Sequence, residues 1–110
     1  MSKLTPPLPV TLKKYGLTIE MWLKLAESQG HACAVCKQVP TNGRLNIDHY
    51  HAKGWKKMQP ERRVDYVRGL LCYRCNNFYV GKSITVERSK NVTAYLESFD
   101  RRKPPEKRKA

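Results

Sequence analysis

Apolar positions along the chain recur with two different periods, and each period predicts an element. Over residues 18–29, Ile19, Trp22, Leu23 and Ala26 fall at i, i+3, i+4 and i+7, one face of a helix. Thr18 is placed to cap that helix, Glu20 sits in its first turn and Gly30 can close it. Trp22 and its neighbours read as core. Upstream, residues 1–16 are interrupted by prolines and read as an extended arm ending at Tyr15-Gly16. After the turn signal PTNG at 40–43, Leu45-Asn46-Ile47 alternates and predicts a short strand running into Asp48. Tyr66 to Leu71 predicts a second strand, antiparallel to the first, and residues 51–65 between them read as a polar, basic loop. A helical turn follows from about Tyr73 to Tyr79, ended by Gly81. Strand, loop, strand, helix is a ββα finger. A last helix is expected over 89–99, capped by Ser89, with Val92, Tyr95, Leu96 and Phe99 as its apolar stripe. The predicted fold class is therefore α+β: a small ββα finger flanked by N- and C-terminal helices. The expected organisation is an arm at 1–16, one domain over 17–100 and a basic, disordered tail at 101–110.

Length and charge narrow the function. At 110 residues the chain suggests one domain, and one this small often needs a staple beyond its core. Twenty-two Lys and Arg against nine Asp and Glu give a formal charge of +13, which makes a polyanion the expected partner, nucleic acid first. A membrane surface fits less well, because no segment combines a basic face with a strong apolar one. No apolar stretch approaches the ~20 residues of a membrane helix. Prolines stand near the N-terminus where a signal peptide would be continuously apolar, so a soluble, cytoplasmic protein is expected.

The four cysteines, Cys33, Cys36, Cys72 and Cys75, form two C-x-x-C pairs, CAVC and CYRC. Two such pairs without a signal peptide favour a four-thiolate zinc site over disulfides. Each pair resembles a zinc knuckle, whose tight turn lets two sulfurs converge on one ion. Bound structural zinc contributes on the order of 10–16 kcal/mol in small peptides, so the metal is expected to decide whether this chain folds. The long gap between the pairs loops out residues 37–71, and that loop carries Asp48-His49-Tyr50-His51.

That acid and those histidines suggest a reaction. Asn76 follows Cys75 directly, and zinc would bring the second knuckle near the first, so Asn76 can face Asp48 across the finger. A carboxylate and an amide oxygen suit a hard divalent cation such as Mg²⁺ or Mn²⁺. His49 would point to the other face of the strand and could take a proton from an attacking water. Lys53, Trp55, Lys56, Lys57, Arg62 and Arg63 lie beside this strand, where backbone contact with DNA is expected; Trp55 could stack on a base or pack on the finger. Arg68, on the second strand, could reach a substrate phosphate or pair with an acid.

Three segments, LTIEMWLKLAESQGHACAVC, LNIDHYHAKG and VRGLLCYRCN, cover most of residues 17–76. In order and spacing the chain resembles the HNH (His-Me finger) endonucleases of the phage recombination endonuclease VII type. The resemblance implies a structural zinc on the four cysteines, a catalytic metal held by Asp48 and Asn76, His49 as general base and His51 as an accessory residue at the metal or the scissile phosphate. It also implies DNA as substrate, products with a 5′-phosphate and a 3′-hydroxyl, and a phage-encoded protein acting in the host cytoplasm. One departure bears on substrate. The junction-resolving member carries an acid three residues after this Asn, where the present chain has Tyr79. A monomer or weak dimer that nicks DNA or cuts both strands is expected. The alternatives are a non-catalytic, zinc-dependent nucleic-acid-binding module and a dimeric Holliday-junction resolvase.

Overall fold

The structure, a computed structural model, describes residues 4–102, apart from the side chain of Phe99. Its centre is a two-stranded antiparallel sheet of β1 (Asn46–His49) and β2 (Val67–Leu71), with α2 (Ile19–Ser28) packed on β2. Helices α1 (Pro9–Lys14) and α3 (Pro60–Arg63) lie against each other on one side. Helix α4 (Val86–Arg102) closes the chain. Between Trp55 and Tyr66 the expected loop is mostly ordered: two short 3₁₀ turns, Trp55–Lys57 and Val64–Tyr66, flank α3.

Helix α2 begins as the sequence predicts, with the Thr18 hydroxyl accepting from the Met21 N–H at 3.1 Å. Its buried face is narrower than the periodicity implies. Trp22 and Ala26 are sealed at 1% exposure each, while Ile19 and Leu23 face outward. With only a two-stranded sheet to cover, one edge of the helix suffices. Trp22 and Ala26 join Leu12, Leu17, Leu45, Ile47, Leu70 and Leu71 in a core that also contains Cys33 and Cys75. Gln29, at the end of α2, acts as a substitute strand. Its amide nitrogen donates to the carbonyls of Leu70 and Ala32, both at 2.9 Å, and its oxygen accepts from the Leu70 N–H at 2.8 Å. The outer edge of β2 is thereby satisfied without a third strand.

Two sequence expectations are corrected. Residues 9–14 are helical rather than extended, because Pro9 sits at the first helical position, where its fixed φ favours a helix start. Leu12 from this helix is core. The last helix starts at Val86, not near Ser89, and Thr85 caps it by accepting from the Arg88 N–H at 3.0 Å. The stripe of that helix is not buried: Val92, Tyr95 and Leu96 are exposed. The expected contribution of Phe99 lies outside the described side chains, and of the expected basic tail only Arg101 and Arg102 are described, both within α4.

Candidate functional site

The two C-x-x-C turns meet as one cluster. The Sγ atoms of Cys33, Cys36, Cys72 and Cys75 all lie within 4.8 Å of one another, and no disulfide links them. In each turn a backbone N–H points at a sulfur, Val35 to Cys33 and Cys75 to Cys72, both at 3.4 Å. A zinc ion with Zn–S bonds of about 2.3 Å has tetrahedral S–S edges of about 3.8 Å. Cys36 and Cys72 are 3.8 Å apart across the cluster. Donor type, number and spacing therefore fit a structural zinc. Cys33 and Cys75 differ in proton affinity. Burial raises the pKa of Cys33, but hydrogen-bond donors from Cys72, Cys36 and Val35 outweigh it and bring the value down to about 6. Burial and the neighbouring sulfurs push Cys75 up to about 12. A bound cation would hold all four as thiolates.

Asp48 is the buried acid of the sheet, at 6% exposure. Arg68 grips it with both prongs, Nε donating to Oδ2 at 2.8 Å and Nη2 to Oδ1 at 3.1 Å. A bulge makes this pairing possible. Asp48 is opposite Gly69, but His49 is opposite Val67, so Arg68 is the extra residue. In unbroken register it would lie on the face of His49; the bulge re-aims it. Of the two partners expected for Arg68, an acid and a phosphate, the structure shows the acid.

His49 points into a different environment. Its ring stacks on Trp55, with centroids 4.1 Å apart and planes 21° from parallel. Tyr15 approaches the same imidazole at 5.6 Å, and His51 lies at 4.5 Å. His49 is half-buried, and burial first, then the nearby His51, Arg68 and Lys14 charges, lower its pKa below 6.5, with Asp48 opposing. Burial and these charges thus favour the neutral form of the imidazole. It opens on a groove of 660 Å³ walled by Lys14, Lys53, Lys56, Lys57 and Lys82. Of the residues expected to touch DNA, Lys53, Lys56 and Lys57 line this groove. Arg62 is exposed on α3. The Arg63 guanidinium is engaged within the chain. It donates to the carbonyls of Trp55, Lys14 and Lys56 at 3.3, 2.9 and 2.8 Å and lies 4.4 Å from the Trp55 ring centroid.

Tyr15 and Lys14 reach the groove because α1 is tied down beside it. Gly16 makes the tie with φ +74°; a Cβ there would collide with the Pro60 carbonyl, so only glycine lets the turn after Tyr15 sit against α3. The sequence reading passed over both residues. The usable signal was Pro9 at one end and Tyr15-Gly16 at the other, the proline-start, glycine-stop pattern of a short helix. Asn76 lies in a π-helical turn, Cys75–Tyr79, an irregularity often found at functional sites. It lines a second cavity of 410 Å³ together with Tyr15, Asn46 and Ile47. Tyr15 thus borders both the cavity of Asn76 and the groove of His49. Burial raises the Tyr15 pKa; Arg63 lowers it and Asp48 raises it, which places the phenol near both charges.

Fold and site define a small α+β protein in which a two-stranded sheet, clamped at a four-cysteine cluster, presents a buried acid on one side and a half-buried imidazole in a basic groove on the other. The chain belongs to the recombination endonuclease VII family, whose model matches residues 10–98. It is 35% identical over 98 residues to the "Gene 59 protein" of Mycobacterium phage D29, covering 86% of this chain and 48% of that protein. To the "Gene 59 protein" of Mycobacterium phage L5 it is 36% identical over 73 residues, 64% of this chain and 37% of the relative. The chain therefore spans half or less of these relatives. No solved structure matches it. Among the described residues no helix is long and apolar enough to cross a membrane.

Proposed function

We propose that the protein is a metal-dependent DNA endonuclease of the HNH (His-Me finger) type, with His49 as general base. The observation that carries this reading is the placement of His49: a half-buried imidazole, held below its ordinary pKa, in a groove walled by five lysines and next in sequence to a buried, ion-paired acid. An unprotonated imidazole takes a proton from water. The hydroxide so formed adds to phosphorus, and the bond to the 3′ oxygen breaks to leave a 5′-phosphate and a 3′ alkoxide, which takes a proton from solvent water to become the 3′-hydroxyl. The lysines hold the phosphate backbone without reading its sequence. Asp48 and Asn76 are the residues that would hold a catalytic Mg²⁺ or Mn²⁺. The fit rests on the donor chemistry, a carboxylate and an amide oxygen, which suit a hard cation; Arg68 now holds both Asp48 oxygens and Asn76 lines a neighbouring cavity, so binding would require Arg68 to release the carboxylate. When bound, the cation would neutralise charge developing on the phosphorane and the leaving oxygen. His51, with its ring next to that of His49, assists at the same phosphate.

The test is cleavage of supercoiled plasmid with Mg²⁺ or Mn²⁺ by wild type and His49→Ala. The variant is expected to keep DNA binding and lose roughly 10²–10⁴-fold in rate. The base must be unprotonated, and its pKa is lowered, so the acid limb of kcat/KM should lie below pH 6.5. Equal products from both proteins under every metal would refute the assignment.

A further inference from the structure

Trp55 is the largest side chain in the basic groove, and its ring is already occupied. His49 stacks on it at 4.1 Å and Arg63 lies over it at 4.4 Å. Its indole N–H has no hydrogen-bond partner among the described residues, and the contacts that hold the ring are made to its faces. Tyr15 stands 5.6 Å from both Trp55 and His49, closing a three-ring group. The group is braced from behind. One guanidinium, that of Arg63, fixes the backbone on either side of it through the carbonyls of Lys14, Trp55 and Lys56. With His49 stacked on its ring and Arg63 over it, Trp55 is tied into the protein and not free to turn toward a base.

We propose that Trp55 and Tyr15 are positioning residues, an aromatic clamp that fixes the plane of the His49 imidazole, rather than contacts to DNA. This inference rests on the reading of His49 as general base. An imidazole on a short strand beside a bulge has two free side-chain torsions. A stacked indole and a tilted phenol restrict both and leave the ring edge facing the groove. Misplacing a reacting group by about 1 Å can cost about 10²-fold in rate, so the clamp should act on kcat and leave substrate binding alone.

The experiment uses zinc-loaded protein and compares Trp55→Leu, Trp55→Phe and Tyr15→Leu with wild type. It measures kcat, DNA affinity and the NMR positions of the His49 Hδ2 and Hε1 protons at one fixed pH. In wild type those protons should show the displacement produced by a stacked indole. Trp55→Leu should abolish the displacement and lower kcat by about 10–100-fold, with DNA Kd within about twofold. Trp55→Phe should recover most of the loss, and Tyr15→Leu should lower kcat less than Trp55→Leu. A weakened Kd with kcat retained in Trp55→Leu would make Trp55 a DNA contact and overturn the proposal. So would a wild-type spectrum without ring-current displacement, a result that does not depend on any variant folding. If His49→Ala is inactive while Trp55→Leu keeps full kcat, the clamp fails and the endonuclease stands. If wild type does not cleave at all, the endonuclease reading fails, and the clamp with it as a catalytic device.

Discussion

Replacing Arg68 by alanine tests the acid side of the site. Asp48 keeps only 7% side-chain exposure, so the variant leaves a nearly dry carboxylate without the two charge-assisted bonds that Arg68 now donates. Breaking a fully buried ion pair costs about 3–5 kcal/mol, while exposed pairs are worth about 0–1 kcal/mol. The Arg68 side chain is 36% exposed, so water reaches one end of this pair. An intermediate cost of about 2–3 kcal/mol is expected, or a melting temperature lower by roughly 10–15 °C in a domain of this size. The loss should be recoverable. Wild type must give up the Arg68 pair before Asp48 can hold a divalent cation, whereas the variant offers a bare carboxylate. Removing even half of that competing energy should tighten Mn²⁺ binding about tenfold, since each 1.4 kcal/mol is about one decade. The assay is thermal unfolding of zinc-loaded protein across a Mn²⁺ titration, with calorimetric Kd values, and with Asp48→Asn/Arg68→Ala as the control expected to lose the response. If Arg68→Ala is as stable as wild type without Mn²⁺, the pair does not stabilise the sheet. If its Mn²⁺ affinity is unchanged or weaker, Asp48 is not a cation ligand.

Two further outcomes follow from the scaffold. Gln29→Ala strips the Leu70 N–H of its acceptor while the Leu70 carbonyl keeps the N–H of Ala34, so a loss of about 1–3 kcal/mol is expected. Amide exchange at Leu70 should accelerate selectively; unchanged exchange there would show that the side chain does not complete the sheet. Removing zinc with a chelator, or substituting Cys72→Ser, should abolish the cooperative unfolding transition, because structural zinc supplies on the order of 10–16 kcal/mol and small domains net only about 5–15. A chelated protein that still melts cooperatively would show that the core holds without it.

Local patterns in the sequence carried the sheet and the metal cluster. Thr18 caps α2 because its oxygen reaches an amide three residues on, and that spacing is visible without coordinates. The C-x-x-C pairs converge because their turns are short-range structures, and the only long-range fact needed is that one ion takes four sulfurs. Where the sequence stopped short, side chains from distant positions decided the outcome. For Trp55 the sequence left two readings open, stacking on a base or packing on the finger; its ring contacts with His49, Tyr15 and Arg63 come from distant positions that no local pattern shows. Arg63 was expected beside DNA, and what the sequence did not show is that three backbone carbonyls accept from its guanidinium. Carbonyls that need a donor leave no mark in the sequence. The stripe of α4 marks a limit of another kind: helical periodicity shows that a face is apolar but says nothing of what covers it, and Val92, Tyr95 and Leu96 are exposed.

The bulge explains how two adjacent residues can hold opposite electrostatic roles. Asp48 is a buried carboxylate whose charge needs a partner, whereas His49 works as a base only if unprotonated, which burial first and nearby positive charge second favour. A regular strand sends the two side chains to opposite faces, but a regular partner would also place Arg68 on the face of His49, depriving Asp48 of its counter-charge. One extra residue in β2 moves the guanidinium to the acid while leaving it near enough to disfavour protonation of the imidazole. Gly69 next to it admits the Gln29 amide, which holds this irregular strand from its other edge. The device requires a short, twisted strand pair pinned from outside, and those pins, a cysteine cluster at one end and a glutamine along the edge, are what a sheet of two strands lacks by itself.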